Sequence, residues 1–374
     1  MKIRISRQGL TDELFKLQGV VNQRSTLAIL SNALLEAEGD VLTLHATDLD
    51  TSVSTSCVCE VLEPGRVTLH AKSLFDIVKS LQEDTLELET EDNHWAQLRA
   101  GAVSCRIVGT HPDDFPERPD IQRVKLYPIG TERLLDMIDK TLFSISTDDA
   151  RLNLTGAFFK ITEQDTFLMV STDGHRLSKI ETRPDEFDVD DQIPELLQEG
   201  IIVPKKGLSE IKRTVSAKGS ELSFGLVDNN IVFRHGPTSL SIRLIDGTFP
   251  DFTQVLPAES DKKASVSRDA LVQSLRFVSL FASQRTHNVR LSLSEEGLEL
   301  YASEPSRGEG RKVVPVEYHG PPVKAGYNYK YLLDVLNVLD GDEVSIEIID
   351  TLSPTLIRDT SREEMLFVVM PMRL

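Results

Sequence analysis

The hydrophobic residues of this chain follow two different periods that alternate along its length. In some stretches apolar residues recur at i, i+3 or i+4 and i+7, as at Leu74, Ile77, Val78 and Leu81, which is typical of a helix with one buried face. This spacing marks six windows: 7–20, 72–81, 131–142, 205–218, 267–285 and 328–340. Between them, short runs such as ELSFGL and NIVFRH alternate apolar and polar residues and predict strands. The pattern as a whole predicts an α+β fold.

One strand-like pattern occurs three times. An alternating apolar run is followed by a small residue, a hydroxyl and an acid, in the copies Ala46-Thr47-Asp48, Ser171-Thr172-Asp173 and Ala302-Ser303-Glu304. The hydroxyl positions lie about 125 and 131 residues apart, close to one third of the 374-residue chain. Each third also holds two of the predicted helices. The chain therefore predicts three copies of one structural unit.

Two connectors rich in proline and aspartate separate these copies. THPDDFPERPD covers residues 110–120 and DGTFPDFTQVLPAESDKK covers 246–263, and both carry a Phe beside Pro. Because they interrupt the apolar periodicity, we expect domain boundaries there. The predicted domains are 1–123, 124–253 and 254–374, each with two helices and antiparallel sheets.

Composition limits the class of protein. Hydrophobic residues make up 40% of the chain, enough for packed cores. No apolar run approaches the ~18 residues of a membrane span, and the first residues do not resemble a secretion signal. Three cysteines, Cys57, Cys59 and Cys105, do not make a disulfide framework, so we expect a reducing cytoplasm. Cys57 and Cys59 lie two apart in a predicted strand; we favour buried thiols over the alternative of a metal site.

Charge is unevenly distributed along the chain. The net charge is −18, a poor match to a protein that holds nucleic acid by charge alone. The six helix windows nevertheless contain 15 Lys and Arg against 10 Asp and Glu, so the rest of the chain has a net charge of −23. A single basic helix is normally a solvated face. Repeated domains that present basic helices on one side can contact the phosphates of a polyanion without reading its bases.

Residues 171–178, STDGHRLS, place an acid, a histidine and an arginine within four positions. A nucleophilic triad or a metal site would need further partners, and the sequence has no GxSxG, HxH or HExxH motif. Asp173-Gly174 is instead a turn dipeptide, and since Asp48 and Glu304 occupy the same position in the other copies, we expect a structural acid. His175, Arg176 and Leu177 are peculiar to the middle copy, which indicates a site on that copy alone.

The last ten residues, MLFVVMPMRL, end on apolar side chains. Residues 366–369 predict the last strand of a sheet, and Pro371 interrupts its period. After this strand we expect Met370, Met372 and Leu374 to be exposed, which is typical of an adaptable surface that binds peptides.

These features together resemble the family of bacterial DNA polymerase III β subunits, the sliding clamps. The resemblance is carried by the threefold repeat, TDGHRL in the middle copy, FPDF at 249–252, YNYKYLLDVLN at 327–337 and the terminal VVMPMRL, and it spans the whole chain. It implies domains of the DNA-clamp type and a head-to-tail homodimer whose six domains form a ring around double-stranded DNA, without sequence specificity. It implies no catalysis, no cofactor and no metal.

The resemblance also implies the partners and their docking site. The replicative polymerase, the clamp loader and other replication and repair proteins would dock short peptides, with a glutamine and spaced apolar or aromatic residues, in a pocket between the middle and last domains. The pocket residues carried onto this sequence are Leu154, Thr172, Gly174, His175, Arg176, Leu177, Pro250, Val255, Asn328, Tyr331, Val368, Val369, Met370, Pro371, Met372, Arg373 and Leu374. A cytoplasmic, nucleoid-associated location follows, with no membrane contact.

Two further surfaces follow from the same resemblance. The residues expected to face DNA are Arg24, Lys72, Lys79, Arg151, Lys205, Lys206 and Lys212, and those expected at the dimer interface are Leu280 and Phe281. The sequence departs from the family's pattern at Gln254, where the family often has a basic residue, and near the pocket floor at Pro354, where it has a small hydroxyl. At the interface, basic residues replace expected acids at Arg307, Arg311 and Lys312. We therefore expect a different peptide preference and different interface ion pairs.

Two other classes of function stay open on the residues alone. One is a hydrolase that uses Asp173 and His175. The other is a scaffold built from repeats that never binds DNA.

Overall fold

The structure, a computed structural model, folds the chain into two units, and each unit is described by itself. It describes residues 1–21, 26–118, 121, 124–182, 195–215, 221–256 and 262–373. Unit 1 contains Met1–Leu135 and Lys206–Leu244, and unit 2 contains Asp136–Lys205 and Ile245–Leu374. The middle third of the sequence therefore contributes residues to both units.

Seven α-helices lie in the described residues, and six of them are those that the apolar spacing predicts. They are α1 Arg7–Leu17, α2 Ala71–Ser80, α3 Thr131–Thr141, α4 Glu195–Glu199, α5 Lys205–Thr214, α6 Arg268–Ser279 and α7 Tyr329–Val338. Helices α1 and α6 begin after serine N-caps, Ser6 and Ser267, whose hydroxyls accept hydrogen bonds at 3.4 Å from the amides of Gly9 and Ala270. The short α4 is not among the predicted helices, because five residues cannot display a repeating apolar stripe.

The strands are short and numerous, as the alternating runs predict. In the first part of the chain they are β1 Lys2–Ser6, β2 Asn32–Glu38, β3 Val41–Thr47, β4 Thr51–Val58, β5 Glu60–Glu63, β6 Gly65–His70, β7 Thr85–Thr90, β8 Ala96–Ala100, β9 Val103–Ile107, β10 Gly109–Thr110, β11 Tyr127–Ile129, β12 Gly156–Ile161 and β13 Phe167–Thr172. The remainder are β14 Arg176–Glu181, β15 Ile201–Pro204, β16 Leu222–Val227, β17 Asn230–His235, β18 Thr238–Arg243, β19 Lys263–Ser267, β20 Asn288–Ser294, β21 Gly297–Glu304, β22 Gly308–Val314, β23 Val323–Asn328, β24 Glu343–Glu347, β25 Thr355–Asp359 and β26 Met365–Val369.

Unit 1 contains two antiparallel sheets. One has the strand order β5-β1-β7-β8-β9, and the other has the order β10-β6-β2-β3-β4-β18-β17-β16-β11. Leu10, Leu14 and Leu17 of α1 are fully buried, as their spacing predicts. In the larger sheet, β4 of the first repeat pairs with β18 of the middle repeat, and Ser52 lies opposite Ser241.

Unit 2 also contains two antiparallel sheets, with the orders β15-β12-β13-β14-β26-β25-β24-β19 and β22-β21-β20-β23. Leu271 and Leu275 of α6 are buried. In the larger sheet, β14 of the middle repeat pairs with β26, and Leu177 lies opposite Val368. The predicted final strand is confirmed as β26. Each large sheet thus joins two successive repeats through one antiparallel strand pair.

The cysteines differ from their predicted arrangement. Strand β4 ends at Val58, so Cys57 and Cys59 do not share one strand, and the prediction that they do is wrong. Cys59 is buried while Cys57 and Cys105 are half-buried, and all three are free thiols. Burial raises the pKa of Cys57 to about 12, which keeps this thiol protonated at neutral pH. No helix of the described chain is long and apolar enough to cross a membrane.

Candidate functional site

An apolar cavity of about 150 Å³ lies in unit 2, beside the turn between β13 and β14. Leu177 and Val368, which face each other in the strand register, form part of its wall. Its lining residues are Leu154, Thr172, Gly174, Arg176, Leu177, Pro250, Asp251, Phe252, Val255, Val368 and Met370. Because most of these side chains are apolar, the cavity favours an apolar ligand group over water, by ~25 cal/mol for each Å² buried.

The turn beside the cavity is built by the residues of the TDG motif. The Asp173 carboxylate accepts hydrogen bonds from the amides of His175 at 2.9 Å and of Arg176 at 3.0 Å. Gly174 has a φ of 86°, a left-handed conformation that glycine adopts without strain. The Thr172 hydroxyl accepts from the Gly174 amide at 3.0 Å and donates to the Arg176 carbonyl at 2.7 Å. Asp173 therefore stabilises the turn.

The first repeat forms the same turn with different residues. The Asp48 carboxylate accepts from the amides of Asp50 at 3.1 Å and Thr51 at 2.7 Å. The Thr47 hydroxyl accepts from the amide of Leu49 at 3.0 Å. The recurring acid is therefore a turn residue in both copies, as the sequence comparison of the repeats predicts.

The connector 246–256 forms the opposite wall of the cavity. Phe249 is buried, and its ring stacks on the ring of Phe158 with centroids 5.1 Å apart. The ring centroid of Phe252 lies 6.4 Å from that of Phe158. Asp251 accepts hydrogen bonds from the Thr253 hydroxyl at 2.6 Å and from the Gln254 amide side chain at 3.0 Å. These bonds lower the pKa of Asp251, with the Thr253 hydroxyl as the largest cause. Gln254 is consequently held toward Asp251.

Arg176 connects the turn to helix α7. Its guanidinium pairs with Asp173 at 3.1 Å and with Asp334 of α7, and it donates to the carbonyl of Phe143 at 2.7 Å. It also lies 4.6 Å from the centroid of the Tyr331 ring, a cation–π contact. The His175 ring stacks on the same Tyr331, with centroids 6.1 Å apart. The side chains of STDGHRLS thus fix the turn against α7.

This geometry does not support the hydrolase hypothesis. The Asp173 carboxylate is engaged by two amides and by Arg176, and the His175 ring is exposed against Tyr331 rather than aligned with a nucleophile. Within the described residues, no group of three or more His, Cys, Asp or Glu side chains could hold a metal ion.

The cavity brings together nine of the predicted pocket residues: Leu154, Thr172, Gly174, Arg176, Leu177, Pro250, Val255, Val368 and Met370. It also includes Asp251 and Phe252, which the sequence reasoning missed. Both belong to the FPDF motif that carries the resemblance, so the signal was present in the sequence.

The other predicted pocket residues lie outside the cavity lining. Val369 is buried on the opposite side of β26, because successive strand residues point to opposite faces. Asn328 caps α7 by accepting from the Lys330 amide at 3.0 Å, and Met372 donates its amide to the Gly326 carbonyl at 2.7 Å. Those not lining the cavity are His175, Asn328, Tyr331, Val369, Pro371, Met372 and Arg373, and Leu374 lies outside the described residues. Pro354 is half-buried.

The residues expected to face DNA lie in both units. Arg24 is outside the described residues; Lys72, Lys79, Lys206 and Lys212 are exposed on helices α2 and α5 of unit 1, and Arg151 and Lys205 belong to unit 2. Lys206 pairs with Asp48, and Arg151 pairs with Asp148 at 3.0 Å. Burial, and next the charge of Arg176, lower the pKa of Lys205.

The residues expected at the dimer interface lie at the end of α6. Leu280 is 63% exposed, while Phe281 is half-buried against Gly310 of β22, an edge strand of its sheet. Arg311 of this strand pairs with Glu299 of β21 within the same sheet.

Comparison with known proteins identifies the family across the whole chain. The DNA polymerase III beta subunit family matches in three parts: its N-terminal domain over residues 1–119, its central domain over 128–251 and its C-terminal domain over 253–373. Among curated relatives, the beta sliding clamp of Chlamydia trachomatis is 34% identical over 100% of this chain and 87% of its own length. That of Pseudomonas aeruginosa is 33% identical, with both chains covered completely.

Solved structures give the same result. The DNA polymerase III subunit beta of Pseudomonas aeruginosa superposes with a TM-score of 0.93 at 31% identity, covering 100% of both chains. The DNA polymerase sliding clamp of Bacillus subtilis superposes with a TM-score of 0.94 at 26% identity, covering 100% of this chain and 99% of its own. The chain therefore belongs to the DNA polymerase III beta subunit family, the sliding clamps.

Proposed function

We propose that two copies of this chain join head to tail into a ring of six domains that encircles duplex DNA. The three domains of each copy are 1–123, 124–253 and 254–374. As in its family, the chain catalyses no reaction and acts as a processivity factor for DNA polymerase III. The polymerase, the clamp loader and other replication and repair proteins dock short peptides in the apolar cavity of unit 2. This role goes with a cytoplasmic, nucleoid-associated location.

The apolar cavity is the observation that carries the peptide-docking part of the proposal. Its volume of about 150 Å³ accommodates one or two apolar side chains. Burial of each such side chain stabilises the complex by ~1.5–3 kcal/mol, the free energy of its transfer out of water. Leu177, Val368 and Met370 supply the apolar wall, and the neighbouring edge is polar at Asp251 and Gln254. An apolar pocket with a polar rim suits a short peptide with apolar anchors.

The charge distribution supports the DNA part. A net charge of −18 is a poor match to a protein that holds DNA by charge alone, whereas a closed ring needs only weak contacts from the basic helices. Exposed lysines on α2 and α5, among them Lys72 and Lys212, are suited to contact phosphates without reading bases.

The edge strand β22 and the exposed Leu280 support the head-to-tail contact. A head-to-tail interface joins two unlike surfaces, and rotation of such contacts closes into a ring. An exposed leucine at the end of α6, next to an unpaired strand edge, is a surface that association would cover.

The deciding experiment compares retention on circular and linear DNA. The clamp is loaded by its cognate loader onto nicked circular plasmid, half of the sample is linearised, and bound protein is followed with time. We expect residence on the circle to exceed that on the linear form at least tenfold, because a ring slides off a free end. Equal residence on both forms, with a steep loss in salt, would mean that attachment is electrostatic and would exclude the ring.

A matched pair of variants tests the interface separately. Leu280→Asp places a charge on the proposed contact, while Leu352→Asp makes the same change at another exposed leucine of unit 2. We expect only the first variant to become a monomer in light scattering at micromolar concentration and to lose retention on circles. A parent protein that is already monomeric would support the scaffold hypothesis instead.

A further inference from the structure

Unit 1 contains a structural counterpart of the apolar cavity. The hairpin β3–β4 repeats the hairpin β13–β14, with Thr47 at the position of Thr172. Ser52 lies opposite Ser241 in the strand register just as Leu177 lies opposite Val368. The repeat therefore builds the same strand joint twice.

The connectors extend this equivalence. Both contain Phe-Pro, and alignment on that dipeptide places Phe115 with Phe249 and Arg118 with Phe252. In unit 1, Phe115 and Arg118 line a cavity of about 40 Å³, and Arg118 also lines an adjoining cavity of about 350 Å³. Both cavities share Thr47, Ser52, Arg118 and Ser241. We call them the inner and outer chambers of the counterpart pocket.

The lining of the counterpart pocket has the opposite chemistry. Where unit 2 has Leu177, Val368, Phe252 and Met370, unit 1 has Ser52, Ser241, Arg118 and Arg243. Ser54 and Ser239 add two hydroxyls to the inner chamber. An apolar side chain would bury these groups without hydrogen bonds, so the counterpart pocket disfavours the ligand that the apolar cavity favours.

Two buried polar atoms of this pocket lack partners. The Ser241 hydroxyl, on a residue only 5% exposed, and Nδ1 of His45, on a residue 6% exposed, make no hydrogen bond within the described residues. Both residues line the inner chamber. Since buried polar groups in folded proteins are almost always hydrogen-bonded, these atoms mark a position where a ligand group or water completes the bonding.

The charges around the chambers narrow the class of ligand. The Arg118 guanidinium donates to Glu36 at 2.7 Å, so its charge is already balanced. In the outer chamber, the positive charge of Arg243 is outnumbered by the negative charges of Asp50, Glu117 and Asp228, which would repel a carboxylate. The outer chamber is acidic as a whole, but among the residues that line the inner chamber Arg118 alone is charged, and Glu36 balances it. The lining of the inner chamber therefore favours a neutral group.

His45 indicates that this neutral group both donates and accepts. Its Nε2 lies 2.8 Å from the Glu36 carboxylate and also contacts the Arg118 guanidinium, so Nε2 either donates to Glu36 or accepts from Arg118. Nδ1 needs a donor in the first tautomer and an acceptor in the second. The serine hydroxyls can donate as well as accept. A side-chain carboxamide has an NH₂ donor and a carbonyl acceptor on three heavy atoms, and the inner chamber of about 40 Å³ has room for two or three such atoms.

We propose that the counterpart pocket is a second binding site, which takes the side-chain carboxamide of a glutamine or asparagine in a partner peptide. The carboxamide enters the inner chamber between His45 and Ser241, and the peptide backbone lies in the outer chamber. This site goes beyond peptide docking in unit 2 and does not depend on it.

Three small probes test the class of ligand. They are the N-acetyl methylamides of glutamine, glutamate and leucine, and binding to the full-length protein is measured by saturation-transfer NMR. We expect the glutamine derivative to bind at least tenfold more tightly than the glutamate derivative, while the leucine derivative binds in the apolar cavity of unit 2. Equal signals from the glutamine and glutamate derivatives, or none from the glutamine derivative, would overturn the proposal.

Matched variants locate the binding. Ser241→Val installs the residue of the apolar counterpart, and Ser292→Val makes the same change on β20 of unit 2. We expect Ser241→Val to weaken the glutamine derivative at least fivefold, and Ser292→Val to leave it unchanged. Ser52→Ala serves as a second variant if Ser241→Val is unfolded by circular dichroism. Equal binding by a folded variant and the parent, or crystals soaked with the probe that contain only water in the inner chamber, would refute the site.

The same samples are tested in parallel with an apolar peptide. Its binding to unit 2 is expected to be unchanged by Ser241→Val. Loss of carboxamide binding alone therefore concerns the counterpart pocket, whereas absence of apolar peptide binding to the parent protein would contradict the proposed function.

Discussion

The apolar cavity of unit 2 and the counterpart pocket of unit 1 have one architecture and two chemistries. In each, a hairpin turn held by an aspartate leads into a strand that pairs with a strand of the next repeat. Leu177 opposite Val368 makes one joint apolar, and Ser52 opposite Ser241 makes the other polar. Backbone hydrogen bonds fix the joint, whereas a few side chains decide what it can bind.

The two pockets also differ in the interactions that stabilise their walls. Leu177 and Val368 belong to a buried cluster with Leu154, Val170 and Phe249, so the wall of the apolar cavity is also core. In unit 1 the equivalent position of Val170 is His45, a buried imidazole whose Nε2 contacts both Glu36 and Arg118. Unit 1 therefore replaces dispersion contacts with a buried polar network at the same place.

The largest expected effect comes from moving the arginines of unit 1 into unit 2. Phe252→Arg with Met370→Arg removes two apolar contacts and brings two charges to the cavity, which disfavours an apolar anchor. We expect the affinity for a labelled peptide with a glutamine and spaced apolar residues to fall at least about 100-fold, or about 3 kcal/mol. Fluorescence anisotropy measures this loss. Leu352→Arg, at an exposed leucine of unit 2, is the control and should bind like the parent.

Sequence reasoning predicted one of the two pockets and not the other. The helices followed from the apolar stripes, such as Leu10, Leu14 and Leu17, because burial of one helix face dictates that spacing. The residues of the apolar cavity followed from the TDGHRL motif and its family. The pairing of Ser52 with Ser241 joins strands distant in the chain, and no local pattern encodes that register. The counterpart pocket therefore required the structure.

The buried imidazole of His45 in unit 1, which the equivalent Val170 of unit 2 lacks, makes the stability of the protein depend on pH. Burial, and next the charge of Arg118, lower the pKa of His45 from 6.5 to about 4. As the pH decreases, His45 therefore becomes protonated near pH 6.5 in the unfolded chain but only near pH 4 in the folded chain. The contribution of neutral His45 to the free energy of unfolding is complete above pH 6.5. It is lost as the pH decreases from 6.5 to 4, by up to about 3 kcal/mol.

The variant His45→Val should abolish that part of the acid sensitivity. We expect the free energy of unfolding in urea to fall less steeply between pH 6.5 and pH 4.5 than in the parent, by up to about 1.4 kcal/mol per pH unit. His319→Val, at an exposed histidine, should keep the slope of the parent. Identical slopes for His45→Val and the parent would show that His45 does not resist protonation in the fold.

The two methionines near the C-terminus, Met370 and Met372, differ in whether their side chains line the apolar cavity. Met370 lines the apolar cavity, and Met372 instead bridges to Gly326 through its backbone. We expect Met370→Ala to weaken the same peptide about tenfold, or about 1.4 kcal/mol, because one apolar contact is lost. Met372→Ala should change affinity less than about threefold. A larger effect of Met372→Ala in the anisotropy titration would mean that the peptide extends along the chain terminus beyond the cavity.

The smallest expected effect concerns the turn that both pockets share. Gly174 and Leu49 occupy equivalent positions with φ values of 86° and 83°, so unit 1 tolerates a side chain where unit 2 has none. A Cβ at Gly174 would lie 2.9 Å from Nη1 of Arg151, a flexible end that can move, so the cost is mainly the left-handed backbone. We expect Gly174→Ala to destabilise the protein by about 1 kcal/mol in urea unfolding, with little change in peptide affinity. If stability were unchanged but affinity fell, close approach of the peptide backbone, rather than the turn, would be the reason for glycine at this position.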